Sequence, residues 1–164
     1  MNYHNITHDD MLNGDGLRVV LWVSGCSHHC PGCQNPVTWN PDDGLIFDEN
    51  AWEELEDLLD KDYISGLTLS GGDPLFEGNR SDILKLCEIA KSSFPEKKIW
   101  LYTGYVYEDI EDLEILNYVD VLVDGPYIEK LRDTSLKWIG SSNQRVIDVK
   151  ETKKTGCVIL HTEG

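Results

Sequence analysis

The sequence predicts a single α/β domain in which a parallel sheet forms an open or incomplete barrel. Short apolar segments alternate with segments of helical periodicity along most of the chain. Such alternation is typical of parallel strands joined by right-handed helical crossovers. The 164 residues hold about four such repeats, whereas a closed eight-stranded barrel needs roughly 200 residues or more. We therefore expect an incomplete parallel α/β barrel.

Apolar, β-branched and aromatic residues mark the strands. The first predicted strand is Leu17–Val23, which is rich in Val, Leu and Trp. Three more follow at Gly66–Ser70, Lys98–Tyr102 and Val119–Val123, and a further strand is predicted at Val146–Val149. Each of the first four is followed within two residues by a glycine, which is a typical strand terminator.

Three helices are predicted between these strands. Asp48 can cap a helix that runs to about Leu59. A second helix is predicted over about Asn79–Ser93 and a third over Glu108–Leu116. In each, apolar residues recur at helical spacing and form a stripe that would be buried.

The two ends of the chain lack this pattern. Residues 1–16 are polar and rich in Asn, Gly and Asp, and they close with Asn13-Gly14-Asp15-Gly16, which indicates a turn. Residues 150–164 have no clear periodicity. The predicted domain therefore covers residues 1–149, and residues 150–164 are interpreted as a C-terminal tail.

The charge balance is strongly acidic, with 14 basic against 30 acidic residues and a formal net charge of −16. Such a surface repels phosphate backbones, so we expect no nucleic-acid partner. The chain has no run of about 18 apolar residues, so we expect no membrane span. Its first residues lack the features of a signal peptide, so we expect a cytoplasmic protein whose thiols are reduced or bound to metal.

The most specific chemical signal is a C-x3-C-x2-C motif formed by Cys26, Cys30 and Cys33. Three thiolates on one short loop can converge on a metal centre, whereas a disulfide would leave one unpaired. Zinc with His28 or His29 as fourth ligand is one interpretation, but structural zinc sites usually draw on two separated ligand pairs. An iron–sulfur cube held by three cysteines would leave one iron open to a substrate. Spacing and placement favour the cluster, with both histidines as loop residues.

Other unusual residues also follow predicted strands directly. They are S-G-G-D-P (70–74), T-G-Y (103–105) and D-G-P (124–126). The carboxyl ends of parallel strands gather at one edge, where ligands bind, so these loops and the cysteine loop indicate one site.

The residues of these loops suggest polar contacts to a ligand. Gly71 and Gly72 would let a ligand approach the backbone closely, and Asp73 could receive an ammonium group. An ordinary strand-to-helix turn would account for the same residues. Asp124 ends an apolar strand, and a carboxylate buried there needs a polar partner.

The cysteine motif after a first strand, followed by G-G-D-P after a second, resembles the radical S-adenosylmethionine enzymes. Within that superfamily the chain resembles the activating proteins of anaerobic (class III) ribonucleotide reductase. The matching segments cover roughly residues 13–149: N-G-D-G-L-R (13–18), V-S-G-C-S-H-H-C-P-G-C-Q-N (23–35), L-S-G-G-D-P-L (69–75), W-L-Y-T-G-Y (100–105), V-D-V-L-V-D-G-P-Y (119–127) and G-S-S-N-Q-R-V-I-D-V (140–149).

The resemblance implies a partial-barrel fold of the radical S-adenosylmethionine type. It also implies a radical reaction mechanism. Cys26, Cys30 and Cys33 would ligate a 4Fe-4S cluster, whose open iron would chelate S-adenosylmethionine. Reductive cleavage would give a 5′-deoxyadenosyl radical, which would take a hydrogen from a glycine of the reductase. A flavodoxin- or ferredoxin-like protein would donate the electron.

The resemblance also implies a set of cofactor-binding residues. Gly71, Gly72 and Asp73 match the segment that binds the methionine amino group of S-adenosylmethionine. Thr103 and Asp124 lie at equivalent positions on the rim of the barrel.

Three residues fall outside the family pattern. Gln34 stands where an aromatic residue commonly follows the third cysteine, near the cofactor adenine. Cys87 lies on the apolar side of its predicted helix, so we expect a buried, inert thiol. Cys157 receives no role.

Two alternative functions remain at this point. The chain could be a radical S-adenosylmethionine enzyme with another target, either another glycyl-radical enzyme or a small molecule. It could instead be a zinc- or cluster-binding interaction module with no activity.

Overall fold

The computed structural model of the protein describes residues 1–33 and 36–162. These residues contain seven strands and four α-helices. The strands are β1 (Asn2–Asp10), β2 (Arg18–Val23), β3 (Leu45–Ile46), β4 (Gly66–Gly71), β5 (Lys98–Tyr102), β6 (Val121–Asp124) and β7 (Arg145–Asp148). The helices are α1 (Glu49–Leu59), α2 (Arg80–Ser93), α3 (Tyr107–Ile110) and α4 (Val149–Thr155).

All seven strands belong to one sheet, in the order β3-β1-β2-β4-β5-β6-β7. The four central strands β2, β4, β5 and β6 are parallel, as the alternating pattern predicts. The strands outside them, β1, β3 and β7, are antiparallel to their neighbours. The sheet is open in the described part of the chain, with β3 and β7 at its edges.

The antiparallel β7 has a simple topological cause. A parallel strand needs a crossover that carries the chain back to the other end of the sheet, usually a helix. Between β6 and β7 the described chain forms only a short 3-10 turn at Glu129–Leu131. The chain therefore re-enters the sheet from the end at which β6 finishes. β7 is antiparallel to β6, in a register that places Asp124 opposite Arg145.

The sequence pattern did not predict the strand β1, which residues 2–10 form. The turn predicted at residues 13–16 is confirmed, since residues 11–17 form bends. The strand β1 is polar because it lies near the edge of the sheet and buries little of its surface. Its backbone pairs with β2, and the Thr7 hydroxyl accepts a hydrogen bond from the Trp22 indole at 2.9 Å. Only Tyr3 and Ile6 of this strand pack on the main core.

The helix predictions hold for the first two helices and fail in part for the third. Asp48 caps α1 as predicted, because its carboxylate accepts the Ala51 N–H at 3.0 Å. The predicted helix Glu108–Leu116 is instead the short α3 and a separate 3-10 turn, divided by an extended Leu113. None of the helices in the described ranges is long and apolar enough to cross a membrane.

The C-terminal residues are more regular than their sequence suggests. Asp148 caps α4 by accepting the Glu151 N–H at 3.0 Å, and Gly156 ends the helix in a left-handed conformation with φ of 78°. Leu160 then forms a β-bridge with Ile147. The division into a domain of residues 1–149 and a tail of residues 150–164 stays a prediction.

The two faces of the sheet differ in what covers them. Alternate strand residues such as Leu21 and Leu69 pack with Leu55 of α1 and Ile83 of α2 in the main core. The intervening residues point to the opposite face. There Trp100 forms a second, smaller cluster with residues of strands and loops, to which the described α-helices contribute nothing.

Arg18 is a fully buried cation on this second face, with 1% of its surface exposed. Its guanidinium donates to the Thr68 hydroxyl at 2.8 Å and to the carbonyls of Leu67 and Asp15 at 3.0 Å, and also to the Lys98 carbonyl. The group lies 5.5 Å from the centre of the Trp100 ring. Burial lowers the pKa of Arg18 to about 10, and the surrounding acceptors keep the cation satisfied.

We expect Arg18→Met to lower the free energy of unfolding by about 3 kcal/mol, because it leaves several buried acceptors without a donor. Chemical denaturation followed by circular dichroism measures this change. The exposed Arg132 supplies the control, since Arg132→Met should leave the unfolding midpoint nearly unchanged. Equal midpoints for the two variants would contradict the role given to Arg18.

Candidate active site

The cysteine loop follows β2 and is anchored to the segment that comes after it. The Gly25 N–H donates to the Thr38 carbonyl at 2.7 Å, and the Cys26 N–H donates to the Trp39 carbonyl at 3.0 Å. The Cys33 N–H closes a turn on the Cys30 carbonyl, also at 3.0 Å. The loop therefore begins and ends on backbone hydrogen bonds, which leave the thiols between them at the carboxyl end of the parallel strands.

Cys26, Cys30 and Cys33 are half-buried, and none of them is in a disulfide. Burial is the main cause that raises the pKa of the Cys26 thiol. Within residues 1–33 and 36–162, no three His, Cys, Asp or Glu side chains are close enough to hold one metal ion. The loop thus supplies the soft sulfur donors that an iron–sulfur cluster requires, but the thiols do not converge on one point.

Asp73 is the centre of the site. Its carboxylate is 1% exposed. One oxygen accepts the Leu75 N–H at 2.9 Å, and the other accepts the Thr103 hydroxyl and the Gly104 N–H, both at 3.0 Å. The Asp73 N–H donates to the Gly25 carbonyl at 2.6 Å. This one residue therefore joins the loops that follow β2, β4 and β5.

His28 makes the remaining contact to Asp73. Its Nε2 atom lies 2.7 Å from the oxygen that also accepts from Thr103 and Gly104. The imidazole packs edge-on against the Tyr105 ring, with ring centres 4.6 Å apart. The sequence pattern predicts His28 only as a loop residue and does not indicate this contact. Its position between two cysteines was the available signal.

The glycines of the site permit close packing of the loops against one another. Gly71 has a φ of 103°, and a side chain there would collide with the Val23 backbone. A Cβ on Gly72 would lie 2.5 Å from the Gly25 carbonyl oxygen. A Cβ on Gly104 would lie 2.5 Å from the His28 ring. In this structure the glycines admit neighbouring protein groups, and the approach of a ligand at Gly71 and Gly72 stays a prediction.

Asp124 lies at the same edge of the sheet but in a different network. Its carboxylate accepts two hydrogen bonds from the Arg145 guanidinium, one of them at 3.1 Å, and accepts the Tyr107 N–H at 2.8 Å. Arg145 also binds the Glu108 carboxylate, and these hydrogen bonds raise the pKa of the guanidinium. The expected polar partner of Asp124 is therefore Arg145.

The two networks are joined through the backbone of the T-G-Y loop. The Thr103 N–H donates to the Val123 carbonyl at 2.9 Å, and the Gly125 N–H donates to the Tyr105 carbonyl at 2.8 Å. Thr103 thus contacts Asp73 with its side chain and β6 with its main chain. All four sequence-predicted loops meet at one edge of the sheet.

The remaining candidates lie apart from this centre. His29 stacks on Trp39 with ring centres 4.5 Å apart. Cys87 is fully buried in α2, where burial raises the pKa of its thiol to about 12. Cys157 is exposed beyond α4. Gln34 lies outside the described residues, so the expectation about adenine contacts stays a prediction.

Comparison with known proteins supports an iron–sulfur function for this site. Residues 12–147 match the model of a family described as a 4Fe-4S single cluster domain. The match spans the cysteine loop and every loop that meets at Asp73. It favours the cluster over zinc as the group that the three thiols hold.

Curated relatives are similar over nearly the whole chain. A protein of Enterobacteria phage T4 is 53% identical over 146 residues, which cover 89% of this chain and 93% of the relative. Proteins of Escherichia coli K12 and Vibrio cholerae are each 42% identical to this chain. The matched residues cover 97% and 96% of those two proteins, respectively. All three are named anaerobic ribonucleoside-triphosphate reductase-activating protein. The chain belongs to this family.

Membership of the activating-protein family confirms the resemblance inferred from the motifs. The family model confirms a 4Fe-4S cluster as cofactor. The chain is accordingly an enzyme of the radical S-adenosylmethionine type, and an inert interaction module is not supported.

Thiol labelling distinguishes the cysteines. In cluster-free protein at pH 8, we expect four of the five cysteines to react with a disulfide reagent, because only Cys87 combines full burial with a strongly raised pKa. Denaturant should expose the fifth. After cluster assembly, Cys157 alone should react quickly.

The same experiment can contradict the assignments. Rapid labelling of Cys87 in native protein would mean that α2 opens readily. Undiminished labelling of the loop cysteines in iron-loaded protein would mean that they are not ligands. Peptide mass spectrometry identifies which thiols have reacted.

Proposed function

We propose that this protein uses a 4Fe-4S cluster and S-adenosylmethionine to install a glycyl radical on the anaerobic ribonucleotide reductase. The observation that carries the proposal is the position of Asp73, which joins the cysteine loop to the G-G-D-P and T-G-Y loops. A site for a cluster and a site for an ammonium-bearing cofactor thereby become neighbours.

Cys26, Cys30 and Cys33 are the proposed ligands of the cluster. They are the three cysteines of one loop, they are only half-buried, and none is in a disulfide. When bound, the cluster supplies an electron for cleavage of S-adenosylmethionine, which yields methionine and the 5′-deoxyadenosyl radical that takes a hydrogen from the target glycine. Three thiolate ligands for four irons would leave one iron without a protein ligand, and that iron could take the amino and carboxylate groups of the cofactor.

Asp73 is proposed to bind the ammonium group of S-adenosylmethionine. Its buried carboxylate is oriented by Leu75, Thr103 and Gly104, all of which donate hydrogen bonds to it. His28 occupies the side of this carboxylate that faces the cysteine loop. We propose that the cofactor ammonium replaces His28 as the partner of Asp73, so that cofactor binding moves the loop that carries the cluster ligands.

Gly71, Gly72 and Thr103 are proposed to act by shaping this part of the site. The two glycines let the G-G-D-P loop lie against the backbone of β2 and the cysteine loop. Thr103 fixes both Asp73 and the turn at Tyr105, whose N–H donates to the Thr103 hydroxyl at 3.2 Å.

Asp124 is proposed to support the cofactor side of the rim together with Arg145. Its oxygens are already engaged by Arg145 and by the Tyr107 N–H, so its contribution to cofactor binding is the placement of neighbouring backbone. The Gly125–Tyr105 hydrogen bond carries that placement to the T-G-Y loop.

The open sheet supports a partial barrel whose helix-free face receives the target. A radical that abstracts hydrogen must form beside its target and away from water. The face that carries Trp100 and Tyr102 is not covered by the described helices, and the sheet does not close on itself. We propose that the reductase presents its glycine on a loop that enters from this side.

The remaining partners follow from charge and chemistry. We propose that a flavodoxin- or ferredoxin-like protein donates the electron and that the protein works in the cytoplasm. The net charge of −16 supports the proposal that neither nucleic acid nor an anionic membrane is a partner.

Anaerobic reconstitution with iron and sulfide, followed by reduction and addition of S-adenosylmethionine, tests the proposed chemistry. We expect 5′-deoxyadenosine from the wild type and none from Cys30→Ala, because three ligands leave no spare thiolate. Cys87→Ala is the matched control, which should retain activity and lose only core packing. Cluster loss in Cys87→Ala, or full activity in Cys30→Ala, would contradict the ligand assignment.

Asp73→Asn tests the cofactor site separately from the cluster. The variant keeps the shape of the side chain but removes its charge, so we expect the affinity for S-adenosylmethionine to fall about 10- to 100-fold. Iron and sulfide content should stay at the wild-type level. A parallel loss of iron would show that Asp73 only holds the loops together. Electron paramagnetic resonance of the reduced cluster, titrated with S-adenosylmethionine, measures the affinity.

A further inference from the structure

A basic segment lies beside the cysteine loop of this strongly acidic chain. Residues 126–145, which we call the basic segment, carry four basic residues (Lys130, Arg132, Lys137 and Arg145) against two acidic ones (Glu129 and Asp133). The other residues of the chain include ten basic against 28 acidic. The sign of the charge is therefore reversed in this segment, as it also is in residues 149–155, where Lys150, Lys153 and Lys154 stand against Glu151.

The basic segment contacts the cysteine loop directly. A Cβ atom placed on Gly32, between Cys30 and Cys33, would lie 1.7 Å from a Glu129 carboxylate oxygen. The Glu129 side chain therefore rests on the Gly32 backbone. Lys130 and Arg132 are the next charged residues along the chain, and both are exposed.

The side chains of Lys130 and Arg132 are available for a partner. Neither makes an ion pair within the part of the chain that the structure describes. Arg145, in contrast, is held by Asp124 and Glu108. Apolar side chains flank the two cations, since Ile128 is 38% exposed and Leu131 is 41% exposed.

The S-S-N-Q-R motif (141–145) holds the basic segment in place. Asn143 donates to the Pro126 carbonyl at 2.8 Å, and Gln144 donates to the Gly125 carbonyl at 3.1 Å. The side-chain Oε1 atom of Gln144 accepts the Gly140 N–H at 2.9 Å. The start of the segment is therefore tied to its end, and the two cations are presented from a closed loop. Such a loop loses less freedom on binding than an open one.

We propose that Lys130, Arg132 and the exposed apolar residues beside them form the docking surface for an acidic one-electron carrier protein. This inference rests on the proposed function, because cleavage of S-adenosylmethionine consumes an electron that the chain cannot supply. The carrier is oxidised by one electron and the cluster is reduced by one electron, with no bond made or broken.

Charge selects this surface for an acidic carrier. The chain as a whole repels such a protein, so electrostatic attraction is limited to the locally positive segments, and of these the basic segment contacts the cysteine loop. Transient electron-transfer complexes are small and depend on charge complementarity for rapid association. A mixed patch of two cations and two apolar side chains beside the cysteine loop fits that pattern.

The position of the surface favours the carrier over the reductase. The reductase must bring a backbone glycine to the reacting atoms, for which we propose the helix-free face of the sheet. The basic segment packs on that face through Trp138 and Ile139, but Lys130 and Arg132 are exposed beside the cysteine loop. A carrier needs only to approach the outer edge of the cluster. The contact of Glu129 with Gly32 places the basic segment at that edge.

Charge reversal with a matched control tests the proposal. The double variant Lys130→Glu/Arg132→Glu changes the net charge by the same amount as Lys85→Glu/Lys154→Glu. Lys85 is exposed on α2 and Lys154 is exposed on α4. The probe is a purified acidic flavodoxin, oxidised for binding to cluster-free protein and fully reduced for anaerobic stopped-flow measurement of cluster reduction.

We expect the first double variant to weaken flavodoxin binding and to slow cluster reduction about tenfold at low ionic strength, with a smaller effect at high salt. The control double variant should change flavodoxin binding and the rate of cluster reduction by much less. Reduction by dithionite should proceed at the wild-type rate in both variants, because dithionite does not need a docking surface of protein size.

Three outcomes would overturn the proposal. Equal losses in the two double variants would mean that only total charge matters. Unchanged binding and reduction in the first variant would exclude the surface. A loss of glycyl-radical formation with dithionite as reductant, at normal 5′-deoxyadenosine formation, would assign the surface to the reductase. Failure of the wild type to cleave S-adenosylmethionine with dithionite concerns the proposed function alone, since the binding measurement needs no cluster.

Discussion

The burial of one carboxylate, that of Asp73, is the constraint on which the candidate site depends. A carboxylate excluded from water is tolerated only when its oxygens are matched by donors or by a cation. Here the donors come from Leu75, from Thr103 and Gly104, and from His28. These residues lie on three separate loops, so the demand of one charge for partners fixes the position of the loops relative to one another.

This constraint also explains why the site contains so many glycines. Three loops can reach one carboxylate only if their backbones approach closely. The Cβ positions of Gly71, Gly72 and Gly104 are filled by the Val23 backbone, the Gly25 carbonyl and the His28 ring, respectively. The glycines and the aspartate therefore form one arrangement, in which small residues make room and the charge supplies the attraction.

Most of the sheet and the location of the site could be predicted from sequence, because both follow from local patterns. Apolar runs that end in glycine mark β2, β4, β5 and β6, and the order of alternation makes them parallel. The features that the sequence did not predict depend mainly on contacts with other parts of the chain. β1 is polar and becomes a strand by pairing with β2, and α4 is short and depends on the Asp148 cap and on packing of Val149. The contacts of His28 with Asp73 and of Asp124 with Arg145 likewise join residues far apart in sequence.

The distribution of charge along the chain bears on its chemistry. A net charge of −16 argues against nucleic-acid partners but does not identify a protein partner, since it fits any well-solvated acidic protein. The distribution of the charge is more informative. Lys130 and Arg132, which make no ion pair with any residue that the structure describes, lie next to the cysteine loop, whereas the nearby Arg145 is paired with Asp124 and Glu108. The S-S-N-Q-R motif thus serves two purposes. Arg145 completes the rim of the site, and Asn143 and Gln144 hold the basic segment against that rim. The same five residues therefore set the geometry of the rim and the access to the cysteine loop.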